Sequence, residues 1–417
     1  MQTLDFDVVI AGGGPVGMTL ALALSQGGFQ VALLESWAAS APAPVAADAP
    51  YDQRVFALTR ASEHIFRHLG VWNQVLAQRL GVFRQIQVWE NQGLVDFDSA
   101  SLGEAALGYI VELGVLRAAL GAALAQRQVM WFNPVQLQAY TAVTQGLSLQ
   151  LDSGIKLHTR LLVGADGHDS QVRVLAGIPC ARHEYGHHAL VAVVKTALPH
   201  QHTARQRFLP SGPLAFLPLA ESQHCSIVWS SPPAMTERLL GLSQSEFHHA
   251  LEQAFETKLG PVLWSGPRAA FPLVRRHAQQ YSQARIVLVG DAAHTIHPLA
   301  GQGMNLGLLD AAALAEVLLE GRQQGRDLGD PLLLRRYERW RRSDTLSMMG
   351  LMDAFRHLFG NRFPPLRGLR NLGLHLTNLT QPLKHLIMRQ AMGLNGDLPR
   401  LARPSDDTPA LSGIELH

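Results

Sequence analysis

The chain has 417 residues, 47% of them apolar and 16% charged, with a formal net charge of +2. That length suggests about two or three domains with room for a large cofactor; the composition argues against a disordered chain, and so small a charge excludes the clustered basic excess of a nucleic-acid-binding surface. Only two cysteines occur, Cys180 and Cys225, without metal-ligand spacing, so neither a disulfide framework nor a metal site is expected and a reducing, cytoplasmic setting is.

In chain order, the N-terminus lacks a basic segment followed by a continuous apolar one and reads as a first strand, not a signal peptide. "DVVIAGGGPVGMTLALALSQGGFQVALLE" gives a strand over Val8 to Ala11, the turn Gly12-x-Gly14-x-x-Gly17, a helix to about Ser25 and a second strand over Val31 to Leu34. The three glycines meet different needs. Gly12 allows the tight turn, Gly14 lets a pyrophosphate approach the backbone, and Gly17 lets the helix pack closely on the strand. The helix start then faces the anion. Glu35 is placed to accept from a ribose hydroxyl, which suits FAD or NAD. No second such fingerprint follows a strand, so one dinucleotide is expected to be held permanently.

An Ala/Pro-rich loop over residues 38–50 leads to Arg54. Further on, "LHTRLLVGADGHDSQVR" ends an apolar strand in Asp166, which either faces a ligand at the strand's carboxyl end or merely caps a helix. "GPLAFLPL" and "CSIVWS" read as strands of a substrate-domain sheet, with Phe216 and Trp229 as candidates for the substrate pocket or, equally, for sheet packing. "VLVGDAAHTIHPLAGQGMNLGL" places Asp291 at a strand end to hold a sugar-like hydroxyl chain. Its Gly301–Gly303 turn opens a helix whose positive end suits an anion. His294 and His297 are three residues apart across a loop, which suits positioned loop residues better than metal ligands.

From Pro331 onward the pattern is helical, with a Met/Phe stripe that includes Met348 and Met349. A leucine-rich basic segment follows, with Arg362, Arg367, Arg370, Lys384 and Arg389. It suits either peripheral contact with an anionic membrane or a helix packed on the rest of the protein. No stretch approaches the roughly 18 consecutive apolar residues that span a bilayer.

"GGGPVG", "GADG" and "GDAAHTIHPLAGQGMNLG" together resemble the dinucleotide, DG and GD motifs of the class A flavoprotein monooxygenases. Through "DQRVFALTRAS", "LGYIVE", "GPLAFLPLAESQHCSIVW" and "LMDAFRHLFGNRFPPLRGLRNLGL", the chain is most similar to the FAD-dependent hydroxylases of ubiquinone biosynthesis, over nearly its whole length. The resemblance implies an α/β fold: a Rossmann-like FAD-binding domain (1–75, 106–180 and 276–330), an inserted mixed β-sheet substrate domain (76–105 and 181–275) and a C-terminal helical region (331–417). It implies that Gly12, Gly14, Pro15, Val16, Gly17 and Glu35 hold the ADP half of FAD, and that Arg54 contacts the pyrophosphate or the flavin side. Asp166 would serve FAD and a transient NAD(P)H, and Asp291 the ribityl chain. Pro298, Gly301, Gln302, Gly303, Met304 and Asn305 would line the isoalloxazine ring.

Where relatives often carry Val-Glu-Asn, this chain has Leu113 in third place, and Arg117, one turn on, would compensate. The DG motif continues as His168-Asp169 where Ala-Asn is common. The implied chemistry is hydroxylation of a polyprenylated phenol by a flavin C4a-hydroperoxide formed from NAD(P)H and O₂, with C5 as the favoured ring position. The cofactor does the hard chemistry, so no nucleophile or metal is required. Pro298 and His297 are the candidates beside the reacting ring, His297 as a polar group or as a loop hydrogen-bonder. Partners would be the prenylphenol, O₂ and other proteins of a ubiquinone-biosynthesis complex, with peripheral contact at the inner face of the membrane and no nucleic acid. The alternatives are a monooxygenase of a small soluble aromatic, an FAD-dependent reductase, and a non-catalytic FAD-fold subunit of a quinone-biosynthesis complex.

Overall fold

The computed structural model describes residues 4–38, 44–46, 48–90, 93–296, 302–360 and 388–404, with side chains as far as residue 350 in the last long helix. The first sheet orders its main strands as Ser282–Gln283, Ile286–Leu288, Lys156–Gly164, Leu4–Ala11, Val31–Leu34 and Val129–Phe132. All neighbouring pairs are parallel except the short edge pair. Val8, Val9 and Ile10 are wholly buried, as expected where helices cover both faces of a parallel sheet. The chain leaves the first strand toward Val31–Leu34 on one side, while Lys156–Gly164 lies on the other. The order therefore reverses between Leu4–Ala11 and Lys156–Gly164, and ligands of open α/β sheets bind beyond such a reversal.

Helix Pro15–Gln26 begins with proline, whose fixed φ suits a first helical position. It packs against helix Gln302–Gln323, and the approach is close at Gly307, where a Cβ would lie 2.8 Å from Val16 Cγ2 and 3.2 Å from Gly290 Cα. Helix Pro331–Gly360 then packs on Gln302–Gln323.

A second sheet runs, in spatial order, through His294–Thr295, Ala269–Ala278, Cys180–Thr196, His224–Ser231, Gly212–Pro218, Thr203–Leu209, Gln85–Glu90 and Gly93–Asp98. Its pairs are antiparallel apart from Thr203–Leu209 against Gln85–Glu90. Because side chains alternate across a strand, this sheet has two distinct faces. One packs Leu190, Leu214 and Ile227 into a core with Leu239 of helix Pro233–Gly241 and Phe247 and Leu251 of helix Gln244–Ala254. The other faces a large void shared with the first sheet. A small third sheet, Val55–Thr59, Gly108–Glu112 and Gly81–Phe83, lies against the same void.

This alternation corrects the two substrate-pocket candidates. Phe216 and Trp229 are each 2% exposed and belong to the helix-covered face. Phe216 stacks on Phe255 with ring centroids 3.8 Å apart. Their neighbours Ala215, Leu217, Val228 and Ser230 line the void instead.

Candidate active site between the two sheets

The void encloses about 1910 Å³, beyond the roughly 300–1,000 Å³ of an ordinary small-molecule pocket. It has room for a dinucleotide and a second molecule. Gly12, Asp166 and Asp291, more than a hundred residues apart in successive steps, all line it. Their strands bring them together: Ala165 N–H donates to Ala11 O at 2.7 Å and Val289 N–H to Gly164 O at 2.9 Å.

At the glycine turn, Gly12 has φ +111°, and a Cβ there would lie 2.3 Å from Ala165 O. Gly17 meets Gly12 O at 2.0 Å by the same construction, so it permits the helix to close on the strand. A Cβ on Gly14, by contrast, would stand in open space. Gly14 caps helix Pro15–Gln26 without any side-chain hydrogen bond, and its first turn holds no acidic residue, so the helix start presents free N–H groups to the void. Pro15 and Val16 line the void beside it, as do Glu35 and the exposed Trp37. Glu35 accepts from Trp37 N–H at 3.3 Å and Ser36 Oγ–H at 3.4 Å through Oε1 and from Gly13 N–H at 3.0 Å through Oε2, and Oε2 keeps a further lone pair.

Asp166 supports a helix start and also lines the void. Oδ2 accepts from Val172 N–H at 3.0 Å, near the start of helix Gln171–Leu175, where Ser170 is the cap. Oδ1 is buried with no hydrogen-bond partner among the described residues. Burial pushes this carboxyl above its ordinary range, against opposing hydrogen bonds from Ser170 and Val172. Asp291 is exposed, its side chain opening into the void. The protein packed around the void nevertheless disfavours its charge and pushes this carboxyl up, with His294 opposing. Donated hydrogen bonds from a ligand's hydroxyls would offset both penalties, since hydrogen bonding to the charged form favours it.

A buried charge network holds the turn that carries Asp291. The Asp310 carboxylate accepts from Gly290 N–H at 3.0 Å, His294 Nε2–H at 2.6 Å and Arg341 Nε–H at 2.8 Å. The His294, Asp310 and Arg341 side chains are all fully buried. His294 is thus a structural residue of this loop. His297, Pro298 and Gly301 lie outside the described residues.

Gln302, Gly303 and Met304, at the start of the following helix, line the void. Asn305 does not. Its side chain is 2% exposed; it accepts from Thr59 N–H at 3.0 Å and Ser62 Oγ–H at 2.7 Å and donates to Ala57 O at 2.8 Å. This corrects its expected place on the flavin wall: the amide ties the helix start to the strand Val55–Thr59 and turns away from the void.

Arg54 and Arg117 both line the void, without an acidic partner among the described residues. Leu113 and Arg117 lie one turn apart on helix Leu113–Ala125 and face the same space. Glu112, beside them, accepts from Asp52 N–H at 2.6 Å and Arg79 Nε–H at 2.7 Å. His168 pairs with Asp169 at 3.1 Å, and Arg276 reaches Asp169 at 3.5 Å, all at the rim of the void.

Sequence reasoning missed the wall made by Met348, Met388, Gln390 and Met392. The segment returns to the site through Ala61 N–H donating to Met392 O at 3.3 Å and Gln302 Nε2–H to Ala391 O at 3.4 Å. No local pattern could have signalled a contact spanning some 330 residues.

An uncapped helix start over open space, an orphaned carboxylate oxygen, a second carboxylate open to the void and unpaired guanidinium groups together fit a dinucleotide with its pyrophosphate and hydroxyls. Asp291 should therefore contribute directly to cofactor affinity. Replacement by alanine is expected to raise the FAD dissociation constant about 10- to 100-fold, the worth of one hydrogen bond to a charged group. Titration of apo-protein by flavin fluorescence measures it; an unchanged constant with normal folding would remove Asp291 from the site.

Comparison with known proteins carries this further. The FAD binding domain family matches residues 5–348. The 3-demethoxyubiquinol 3-hydroxylase of Escherichia coli is 40% identical over 398 residues, 94% of this chain and 100% of that one. The ubiquinone hydroxylase UbiL of Rhodospirillum rubrum is 37% identical over 95% of this chain and 92% of its own. Among solved structures, p-nitrophenol 4-monooxygenase PnpA from Pseudomonas putida superposes with a TM-score of 0.78 over 95% of this chain and 99% of that one, at 20% identity, a likeness of fold. The chain belongs to the FAD-dependent monooxygenases, in the family of the ubiquinone-biosynthesis hydroxylases.

Proposed function

We propose that the protein hydroxylates the aromatic ring of a polyprenylated phenol or quinol in ubiquinone biosynthesis, with FAD as resident cofactor and NAD(P)H as transient reductant. The observation that carries this reading is a single void with the polar groups suited to a dinucleotide at one side and an apolar sheet face at the other. Bound FAD supplies the transfer of electrons to O₂ and of one oxygen atom to the ring.

The chain's own residues bind, orient and exclude water. Gly14 and the start of helix Pro15–Gln26 hold the pyrophosphate, Glu35 and Asp291 the hydroxyls. Val88, Val191, Ala215 and Val228 present an apolar surface to the ring, and Met388 and Met392 shield the same space. A dry surface of this kind strengthens the electrostatic interactions made inside it. A prenyl tail is favoured by the same apolar lining, each buried methylene contributing about 0.8 kcal/mol.

Among the described residues no helix is long and apolar enough to cross a membrane. The basic segment expected to touch a membrane or a partner lies almost wholly outside the described residues, and peripheral contact at the membrane's inner face remains part of this proposal.

The visible absorption spectrum provides the test. Purified protein should show flavin bands that bleach on anaerobic addition of NADPH and return in air, with stoichiometric hydroxylated product when a short-chain prenylphenol is present. Bleaching and return with peroxide alone, for every prenylphenol tried, would overturn the substrate. The sequence resemblance favours C5, whereas the Escherichia coli relative's name specifies position 3; the product's substitution pattern separates the two.

A further inference from the structure

The void-facing side of the second sheet can be read off its register. Val191 pairs with Val228, Val228 with Ala215, Ala215 with Gln206, Gln206 with Val88, and Val88 with Val95. These six form one row across the sheet, and all line the void. Five are small or branched hydrocarbons. The sixth ends in a carboxamide.

Gln206 is half-buried, and its amide has no hydrogen-bond partner among the described residues. Its neighbours along the strand are occupied on the opposite face: Arg205 donates to Gln87 Oε1 at 3.0 Å and Arg207 to Ala254 O at 2.7 Å. Gln206 therefore serves no packing or capping role that the structure displays. The flanking rows add Ser226 and Ser230 on the strand His224–Ser231, but their short hydroxyls stay near the sheet backbone. The glutamine has the longest side chain in its row and carries two donors and one acceptor group.

Resting on the hydroxylase reading above, we propose that Gln206 is the specificity-determining residue of the ring subsite, recognising an ether oxygen that the substrate ring carries in addition to its phenolic hydroxyl. The amide is solvated while the void holds water. A ring seated on the valine row displaces that water. The ether oxygen replaces the lost hydrogen bond; a hydrocarbon substituent in its place leaves the amide buried and unsatisfied, which is costly. Sites that hydrogen-bond a substrate group discriminate against analogues lacking it for this reason. The same bond fixes which way round the ring lies, and so which carbon is presented for oxygen transfer.

The test compares two probes, a short-chain prenylated 2-methoxyphenol and its 2-methyl analogue, on wild-type holoenzyme and the variants Gln206→Leu and Gln206→Asn. Flavin spectral perturbation measures binding, and product formation measures kcat/KM. Wild type is expected to favour the methoxy probe by about tenfold or more, the effect of one satisfied against one orphaned hydrogen bond. Gln206→Leu should lose about tenfold on the methoxy probe while holding within about twofold on the methyl probe, so the ratio collapses. Gln206→Asn should recover part of it. FAD content and the rate of reduction by NADPH should stay at wild-type values in both. A ratio unchanged in Gln206→Leu, or an equal fall on both probes, would overturn the assignment of Gln206 while leaving the hydroxylase reading intact. Failure of wild type to bind or hydroxylate either probe would overturn the substrate reading and this proposal with it.

Discussion

Replacing Asp310 with alanine should destabilise the protein by about 3–5 kcal/mol, the usual consequence of removing one partner from a buried charge pair. The Arg341 guanidinium, fully buried, would keep Asp344 at 2.7 Å but lose the one wholly buried carboxylate that it meets among the described residues. Gly290 N–H and His294 would lose their acceptor together. Both lie in the turn that presents Asp291, so cofactor affinity should fall with stability. Asp310→Asn keeps the shape and part of the hydrogen bonding and should fall between alanine and wild type. Chemical denaturation of the apo-protein measures the stability loss, and a change below about 1 kcal/mol for the alanine variant would show that the network carries little.

Acid should act through the same carboxylate. His294 and Arg341 hold Asp310 below the ordinary carboxylate range, overcoming the opposing effect of burial. A carboxyl with a depressed folded pKa contributes stability that is fully present above its unfolded value, about 3.9, and is lost as pH falls through the folded one. Wild type should therefore lose more stability below about pH 4 than Asp310→Asn, whose acid limb should be flatter.

The second large effect separates two glycines of one motif. Gly12→Ala places a side chain at φ +111°, 2.3 Å from Ala165 O, so the strand ends must part. Backbone strain of this kind costs about 1–3 kcal/mol, and the clash adds to it. The variant should be less stable even without cofactor and should purify colourless. Gly14→Ala has φ −74° and ψ 173° to adopt, which any residue tolerates, and open space for its Cβ. Its apo-protein should match wild type in stability while binding FAD at least about tenfold more weakly, because the methyl group occupies the approach of the pyrophosphate. Equal effects of the two substitutions on apo-protein stability would refute this division of roles.

How far the sequence reaches is visible in particular residues. The glycine turn, Glu35, Asp166 and Asp291 were legible because each follows an apolar run that must be a buried strand, and ligands of α/β sheets gather at strand ends. The strand carrying Phe216 was legible as well. Its orientation was not, because period-two alternation tells which residues share a face and nothing about what covers it. Helix Gln244–Ala254 covers one face, and that assigned the large aromatic rings to the core and left Ala215 and Gln206 facing the void. Asn305 shows the same limit in a motif: its position beside the ring-lining residues is local, whereas its partners Thr59 and Ser62 lie some 240 residues away.

By itself the sequence determined the strand–turn–helix units, the glycines that those turns require and the carboxylates at the strand ends, since these follow from local geometry and hydrophobic period. Only the tertiary structure decided which carboxylates keep an unpaired oxygen, which side of the second sheet meets the void, and that the segment around Met388–Met392 closes it. Those outcomes depend on contacts between distant segments, whose partners no local pattern specifies.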